Sequence, residues 1–156
     1  MKQLDALNQV AEFHRTYRHP IENEPLIPSP RRCKLRVELI AEELKELEQA
    51  IEDNDLVGVA DALCDIQYVL SGAVLEFGMG EKFRDLFDEV QRSNMSKASN
   101  TEEDAIASVK HYKEKKGVES YYKKVDDKFM IYRTEDNKSL KSINYSPPDL
   151  KSILEA

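Results

Sequence analysis

The chain has 156 residues, 40% hydrophobic and 34% charged, which suits one domain large enough to bury a continuous core without staples. A net charge of −7 argues against a general nucleic-acid groove, which needs a basic face, but leaves room for a phosphate ligand reached through a bound cation. With only Cys33 and Cys64, no eighteen-residue apolar run and a polar amino terminus without a signal-peptide pattern, the chain reads as a cytoplasmic protein with neither a disulfide scaffold nor a cysteine-rich zinc site.

Leu4, Leu7, Val10, Ala11, Phe13 and Tyr17 predict a first helix over 4–18. The proline-rich stretch from His19-Pro20 to Pro30 cannot be regular helix or central strand, and Ile21, Leu26 and Ile27 give it the anchors of an ordered surface loop. A second helix is expected from Arg32 to Ile51, with Val37, Ile40, Leu44, Leu47 and Ile51 as one core-facing stripe. Glu52-Asp53-Asn54-Asp55 is a turn by composition. The third helix, Leu56 to Phe77, is apolar on several faces, so other helices or a subunit interface should surround it, and Gly78 stops it. A fourth covers Glu81 to Ser93, with Phe83, Leu86, Phe87 and Val90 inward. A fifth begins after Thr101, whose spacing to Asp104 approximates a capping box, and ends at Lys116-Gly117. Its face of Ile106, Val109 and Tyr112 is narrow, which places it outside the core. Lys128–Arg133 and Ser139–Ile143 predict a hairpin, and Ser146-Pro147-Pro148-Asp149-Leu150 a cap and a short last helix. The fold expected is all-α, an antiparallel helical bundle with a small C-terminal β-hairpin appendage. It forms one domain over 1–156, with a helical core at about 4–93 and the appendage at about 101–156.

The acidic residues are unevenly spread. Residues 37–56 hold eight acids against Lys45 alone. Glu42, Glu43 and Glu46 lie three and four residues apart on the second helix and converge on one side, where like charges repel unless water or a cation relieves them. Asp61 and Asp65, four apart, share a stripe of the otherwise apolar third helix. Aspartate is a poor residue for a helix interior and costly to bury unpaired. Charge pairing with arginine or lysine, plain exposure and a metal ion all remain open as compensation. If the two helices pack antiparallel, Glu43 and Glu46 face Asp61 and Asp65, and four carboxylates make an oxygen cage suited to Mg²⁺, with Mn²⁺ an alternative. No histidine lies on either helix, which disfavours zinc and mixed carboxylate–histidine iron sites. A magnesium ion so held orients and activates water for attack on phosphorus, and Glu42 or Glu46 is placed to take the proton. Arg92, Asn94 and Lys97, in Arg92-Ser93-Asn94-Met95-Ser96-Lys97, are the candidate phosphate-side groups, or a polar helix end answering the dipole. His14, beside Phe13, is a candidate pocket residue or a half-buried amphipathic one.

Glu42-Glu43-Leu44-Lys45-Glu46 resembles the Glu-Glu-x-x-Glu motif of the all-alpha nucleoside triphosphate pyrophosphatase superfamily, which includes MazG proteins, dimeric dUTPases and phosphoribosyl-ATP pyrophosphohydrolases. The second motif usually reads Glu-x-x-Asp. Here Ala62-Leu63-Cys64-Asp65 lacks the glutamate, and Asp61 is the natural substitute, as in branches similar to phosphoribosyl-ATP pyrophosphohydrolase with Asp-Ala-Leu-x-Asp. Tyr68, Gly72, the Ser93-Asn94-Met95-Ser96-Lys97 segment and the tail through Tyr145-Ser146-Pro147-Pro148-Asp149-Leu150 also look like that branch.

The resemblance implies metal-dependent hydrolysis between the alpha and beta phosphorus atoms of a nucleoside triphosphate, giving monophosphate and pyrophosphate. It implies Glu43, Glu46, Asp61 and Asp65 as metal ligands, Glu42 as a ligand or water-positioning group, and Asn94, Lys97 and Arg92 as nucleotide contacts. It implies a homodimer or homotetramer, while the acidic charge and the lack of a long apolar run lead us to expect no nucleic-acid or membrane partner. Phosphoribosyl-ATP as substrate is one alternative. A non-catalytic helical oligomer that binds nucleotide or a partner through its acidic face is another.

Overall fold

The computed structural model describes residues 2–156, and more than half of them lie in six helices, with a small three-stranded antiparallel sheet. The chain divides into two compact units, the first running to Phe83 and the second spanning Arg84–Ala156.

In the first unit, α1 (Ala6–Tyr17) ends where Arg18 turns left-handed, at φ 57°. The following loop is ordered, because its backbone is tied to the end of the third helix. Glu22 N donates to Leu75 O at 3.0 Å and Leu26 N to Phe77 O at 3.1 Å. Pro30 stands in the first turn of α2 (Pro30–Glu52), where its missing N–H costs no hydrogen bond, so the helix starts slightly before the arginines. Three residues separate α2 from α3 (Leu56–Glu76), and the Asp55 side chain accepts from Val57 N at 3.0 Å to cap it. The two long helices pack along one another as a hairpin. Gly78, at φ 69°, turns the chain out of α3, and a Cβ there would lie 1.9 Å from Glu24 O. That approach admits only glycine.

The buried apolar cluster of this unit is small: Val10, Ala11 and Leu75, with Ile21 packed against it. The stripe expected to face the core on α2 does not do so throughout, since Val37, Leu44 and Ile51 are exposed. On α3, Leu56 and Val57 are each 80% exposed, and Leu63 and Leu70 also face outward. Among the described residues α3 is the one helix long and apolar enough to cross a membrane, but Asp61 and Asp65 interrupt its apolar surface.

In the second unit, α4 (Phe83–Met95) and α5 (Glu102–Lys116) precede β1 (Ser120–Val125), β2 (Lys128–Arg133), β3 (Ser139–Leu140) and α6 (Leu150–Glu155). β2 is central, pairing Tyr122 with Ile131 on one side and Ile131 with Leu140 on the other. The expected hairpin is therefore a three-stranded sheet, in which β1 was not anticipated and β3 pairs over two residues. The buried stripe of α5 is Ala105, Ser108 and Tyr112, while Ile106 faces out. Small side chains let this helix approach the sheet closely, so it belongs to the core of its unit instead of lying outside one. On α4, Leu86 is buried as expected, whereas Phe87 is exposed.

Candidate active site

Antiparallel packing of the α2–α3 hairpin brings the middle of one helix against the middle of the other. Glu43 is partly buried, and its Oε2 is buried without a hydrogen-bond partner. Burial pushes its carboxyl above the usual range, and the charges of Glu46, Asp65, Glu42 and Asp61 push it further the same way. All five carboxylates singled out from the sequence thus share one electrostatic neighbourhood. Glu42, Glu46 and Asp61 are exposed, and Asp65 is half-buried. Among the described residues, no arginine or lysine lies within ion-pair distance of any of the five. Charge pairing therefore does not explain them. Among the described residues, no three His, Cys, Asp or Glu side chains already stand at ligating distance around one point. The donor set still fits a hard divalent cation: oxygen ligands only, with one buried, unpartnered oxygen at the centre of a like-charged group.

A different answer to buried charge stands at the end of the same hairpin. Glu76, 1% exposed at the end of α3, accepts from Arg36 Nη2 at 2.5 Å and from Arg32 through both Nε, at 3.1 Å, and Nη2. Burial alone would raise the Glu76 carboxyl, but the two guanidinium groups outweigh it and hold it below its ordinary range. His14 completes the cluster at 3% exposure. Its Nδ1 lies 2.8 Å from Pro20 O and its Nε2 3.3 Å from Arg36 Nη2, the pattern of a neutral ring that donates to the carbonyl and accepts from the arginine. Burial lowers its pKa in keeping with that state. Both ring nitrogens are therefore engaged within the protein, and His14 offers a neighbouring ligand only its ring. Gly72 passes close beneath, where a Cβ would stand 2.6 Å from Arg36 Nη1 and 3.0 Å from His14 Nε2. Over this cluster opens a mostly apolar cleft of about 390 Å³, with Phe13, His19 and Tyr68 on its walls. Phe13 stacks on His19 at 5.7 Å and meets Tyr68 edge-on at 5.6 Å, so the cleft presents aromatic surface.

The remaining candidates sit at the end of α4 in the second unit. Arg92 is largely occupied: Nε and Nη2 donate to Glu89 at 2.7 and 2.8 Å, and Nη2 also to Pro147 O at 3.1 Å. Arg92 and the backbone N–H of Asp149 pull the Glu89 carboxyl down to about 2. Lys97 Nζ donates to Asn94 Oδ1 at 2.8 Å, which fixes the two together and leaves the ammonium charge uncancelled. The sequence reading missed Arg32, Arg36 and Glu76. Glu76 had a visible signal, as a lone carboxylate in Val74-Leu75-Glu76-Phe77, the same anomaly that flagged the two aspartates.

The family model for phosphoribosyl-ATP pyrophosphohydrolase matches residues 10–94, more than half of the chain and a span that holds all five carboxylates, His14, Arg92 and Asn94. The chain belongs to the phosphoribosyl-ATP pyrophosphohydrolase family. The family lies within the MazG-like all-alpha nucleoside triphosphate pyrophosphatase superfamily, and membership supports a pyrophosphohydrolase activity on a phosphorylated nucleotide. The family match ends before Lys97 and takes in none of the sheet. An uncharacterized protein of Acanthamoeba polyphaga mimivirus is 26% identical over 94% of this chain and 94% of its own length, so that likeness continues beyond the family span.

Proposed function

We propose that this family member is a metal-dependent hydrolase that cleaves the bond between the alpha and beta phosphorus atoms of a nucleoside triphosphate, releasing monophosphate and pyrophosphate. The observation that carries the reading is Glu43, whose buried oxygen has no partner and whose four acidic neighbours leave a divalent cation as the natural counter-charge. Glu43, Glu46, Asp61 and Asp65 would hold Mg²⁺, or Mn²⁺ in its place. The ion would supply neutralisation of phosphate oxygens and a bound water of lowered pKa. Glu42 and Glu46, both exposed beside this group, are placed to orient the attacking water and accept its proton. Lys97 and Asn94 contact substrate phosphates. Arg92 acts mainly by holding the tail, because its donors already serve Glu89 and Pro147. His14 contributes to substrate binding through the aromatic cleft that it floors.

Phosphoribosyl-ATP is a second substrate reading, favoured by the name of the matching family, and the same carboxylates would serve it. We assign the exposed Leu56, Val57, Leu63 and Leu70 surface to a homodimer or homotetramer of soluble, cytoplasmic subunits arranged as antiparallel bundles. A pyrophosphate-release screen tests the reading, using all ribo- and deoxyribonucleoside triphosphates and phosphoribosyl-ATP, with Mg²⁺ and with chelator. Metal-dependent release from one substrate is the expected result. A folded protein that is silent on the whole panel and binds no Mg²⁺ would overturn it in favour of a non-catalytic binding role.

A further inference from the structure

The structure assigns Lys141 and Tyr145, on the segment beyond the family match, to the phosphate-binding surface that Lys97 begins. This rests on the reading of the protein as a nucleotide pyrophosphohydrolase. It adds two ligands for the phosphate chain of the substrate.

Residues 142–149 form no helix or strand, yet four contacts to the end of α4 and the residues just after it pin them. Ser142 N donates to Lys97 O at 2.9 Å and Ser146 N to Ser96 Oγ at 2.9 Å. Pro147 O accepts from Arg92 at 3.1 Å, and Asp149 N donates to Glu89 Oε1 at 2.8 Å. Ordering a loop costs about 1–2 kcal/mol per residue, so contacts spread along its whole length are needed to fix it. Two serines of the Ser93-Asn94-Met95-Ser96-Lys97 segment are spent on this strap, Ser96 on its backbone and Ser93 on Tyr145.

The strap places Tyr145 directly at Ser93. The buried Ser93 hydroxyl donates to the Tyr145 hydroxyl at 3.1 Å, which leaves the phenolic proton of Tyr145 free to be donated outward. Lys141 Nζ lies 4.0 Å from the centre of the same ring. The Ser93 hydrogen bond first, then the charge and a hydrogen bond of Lys141 and the charge of Lys97, lower the Tyr145 pKa against the opposing effect of burial, so both lysines act on one phenol. Among the described residues, neither lysine has a carboxylate within ion-pair distance. The cluster is therefore two uncancelled ammonium groups and a phenol O–H, with no anion of the protein to satisfy them. Lys97 alone could be answering the C-terminal dipole of α4. Lys141 and Tyr145 belong to no helix, so the dipole does not account for them. Beside them opens a cleft of about 420 Å³, also bordered by Lys116 and Tyr112, large enough for a phosphorylated small molecule. Lys97, tied to Asn94, lines a separate cleft with it, so the surface holds ammonium groups whose charge no carboxylate cancels and a phenol proton turned outward, which suits the oxygens of a phosphate chain.

The test measures pyrophosphate binding by calorimetry on the full chain, with Lys141→Gln and Tyr145→Phe compared with the parent and with Lys151→Gln. Both test variants keep the stem or ring that packs, so thermal melts should match the parent. The expected result is an affinity loss of about tenfold for each test variant, the size of a hydrogen bond to a charged group. Lys151→Gln should bind as the parent does. With an active substrate, KM should rise by a similar factor while kcat stays within about twofold, because the groups bind and do not react. Pyrophosphate binding that is absent in the parent, or unchanged in both variants, overturns the assignment. A parent that binds pyrophosphate through these residues but turns over no nucleotide would sustain the site and overturn the hydrolase reading.

Discussion

Truncating Glu76 to alanine should be among the most damaging single changes in the first unit. The carboxylate is 1% exposed and is the shared acceptor of Arg32 and Arg36, and the Arg36 side chain is itself only 9% exposed. Removing it strands the Arg36 guanidinium, whose Nε already lacks a partner, beside a neutral His14. Breaking one side of a buried ion pair costs about 3–5 kcal/mol. For a chain of this size each kcal/mol moves the midpoint by about 2–4 °C, so the melt should fall by roughly 6–20 °C. The pH dependence carries the same signature. Glu76 has its carboxyl depressed below the ordinary 4.5 in the folded state, so its stabilisation is complete above about 4.5 and is lost as pH falls through the folded value. Thermal melts of parent and Glu76→Ala from pH 7 to pH 3, followed by circular dichroism, should converge towards the acid end. A fall smaller than 3 °C at pH 7, or a gap that widens in acid, would refute the reasoning. Replacing Arg32, Arg36 and Glu76 together by Met, Met and Leu should cost much less than Glu76→Ala, because apolar triads often match buried ionic ones.

Glu43→Gln should raise the melting temperature in chelator, by the roughly 0.5 kcal/mol of a relieved like-charge pair, since the folded state disfavours this charge. The same variant should weaken Mg²⁺ binding by about tenfold or more, measured by calorimetry. Asp65→Asn should lower pyrophosphate release by at least about a hundredfold with an unchanged helical spectrum, and retained activity would remove Asp65 from the site. Gly72→Ala should destabilise by about 1–3 kcal/mol in denaturant melts, because its Cβ would stand 2.6 Å from Arg36 Nη1, and Arg36 is held by Glu76 and cannot retreat freely.

What could be read from the sequence was whatever local spacing encodes. Helix limits were written in Asp53-Asn54-Asp55 and in Gly78, each of which acts through its own backbone, whereas α2 was expected from Arg32 and begins two residues earlier, at Pro30. The five carboxylates stood out because they repeat at helical intervals on two adjoining helices, and a three-residue turn leaves little choice of packing. The Arg32 and Arg36 contacts to Glu76 span 44 and 40 residues, and no periodicity announces them. The same holds for Ser93 with Tyr145, 52 residues apart. On α5 the apolar rule pointed to Ile106, but packing against a sheet rewarded small residues, and Ala105 and Ser108 went inside. β1 was missed because Tyr121-Tyr122-Lys123-Lys124 does not alternate, and its pairing is supplied by β2.

The acidic middle and the ionic end of the α2–α3 hairpin belong to one mechanical arrangement. Like charges facing each other across two helices would ordinarily be relieved by a small separation of the helices. Here the Asp53–Asp55 turn closes one end covalently, with Asp55 capping α3. At the other end Arg32 and Arg36 grip Glu76 from the opposite helix. Between these two ties the carboxylates cannot move apart without breaking a buried ion pair worth several kcal/mol, far more than the repulsion of a few partly solvated acids. Relief must then come from water at the exposed acids, from a proton or from a cation, and burial with the neighbouring charges pushes the Glu43 carboxyl upward, the direction of a group short of counter-charge. A hairpin closed at both ends keeps its acids strained together in the absence of the ion. A site held in that way has little left to rearrange when the ion arrives.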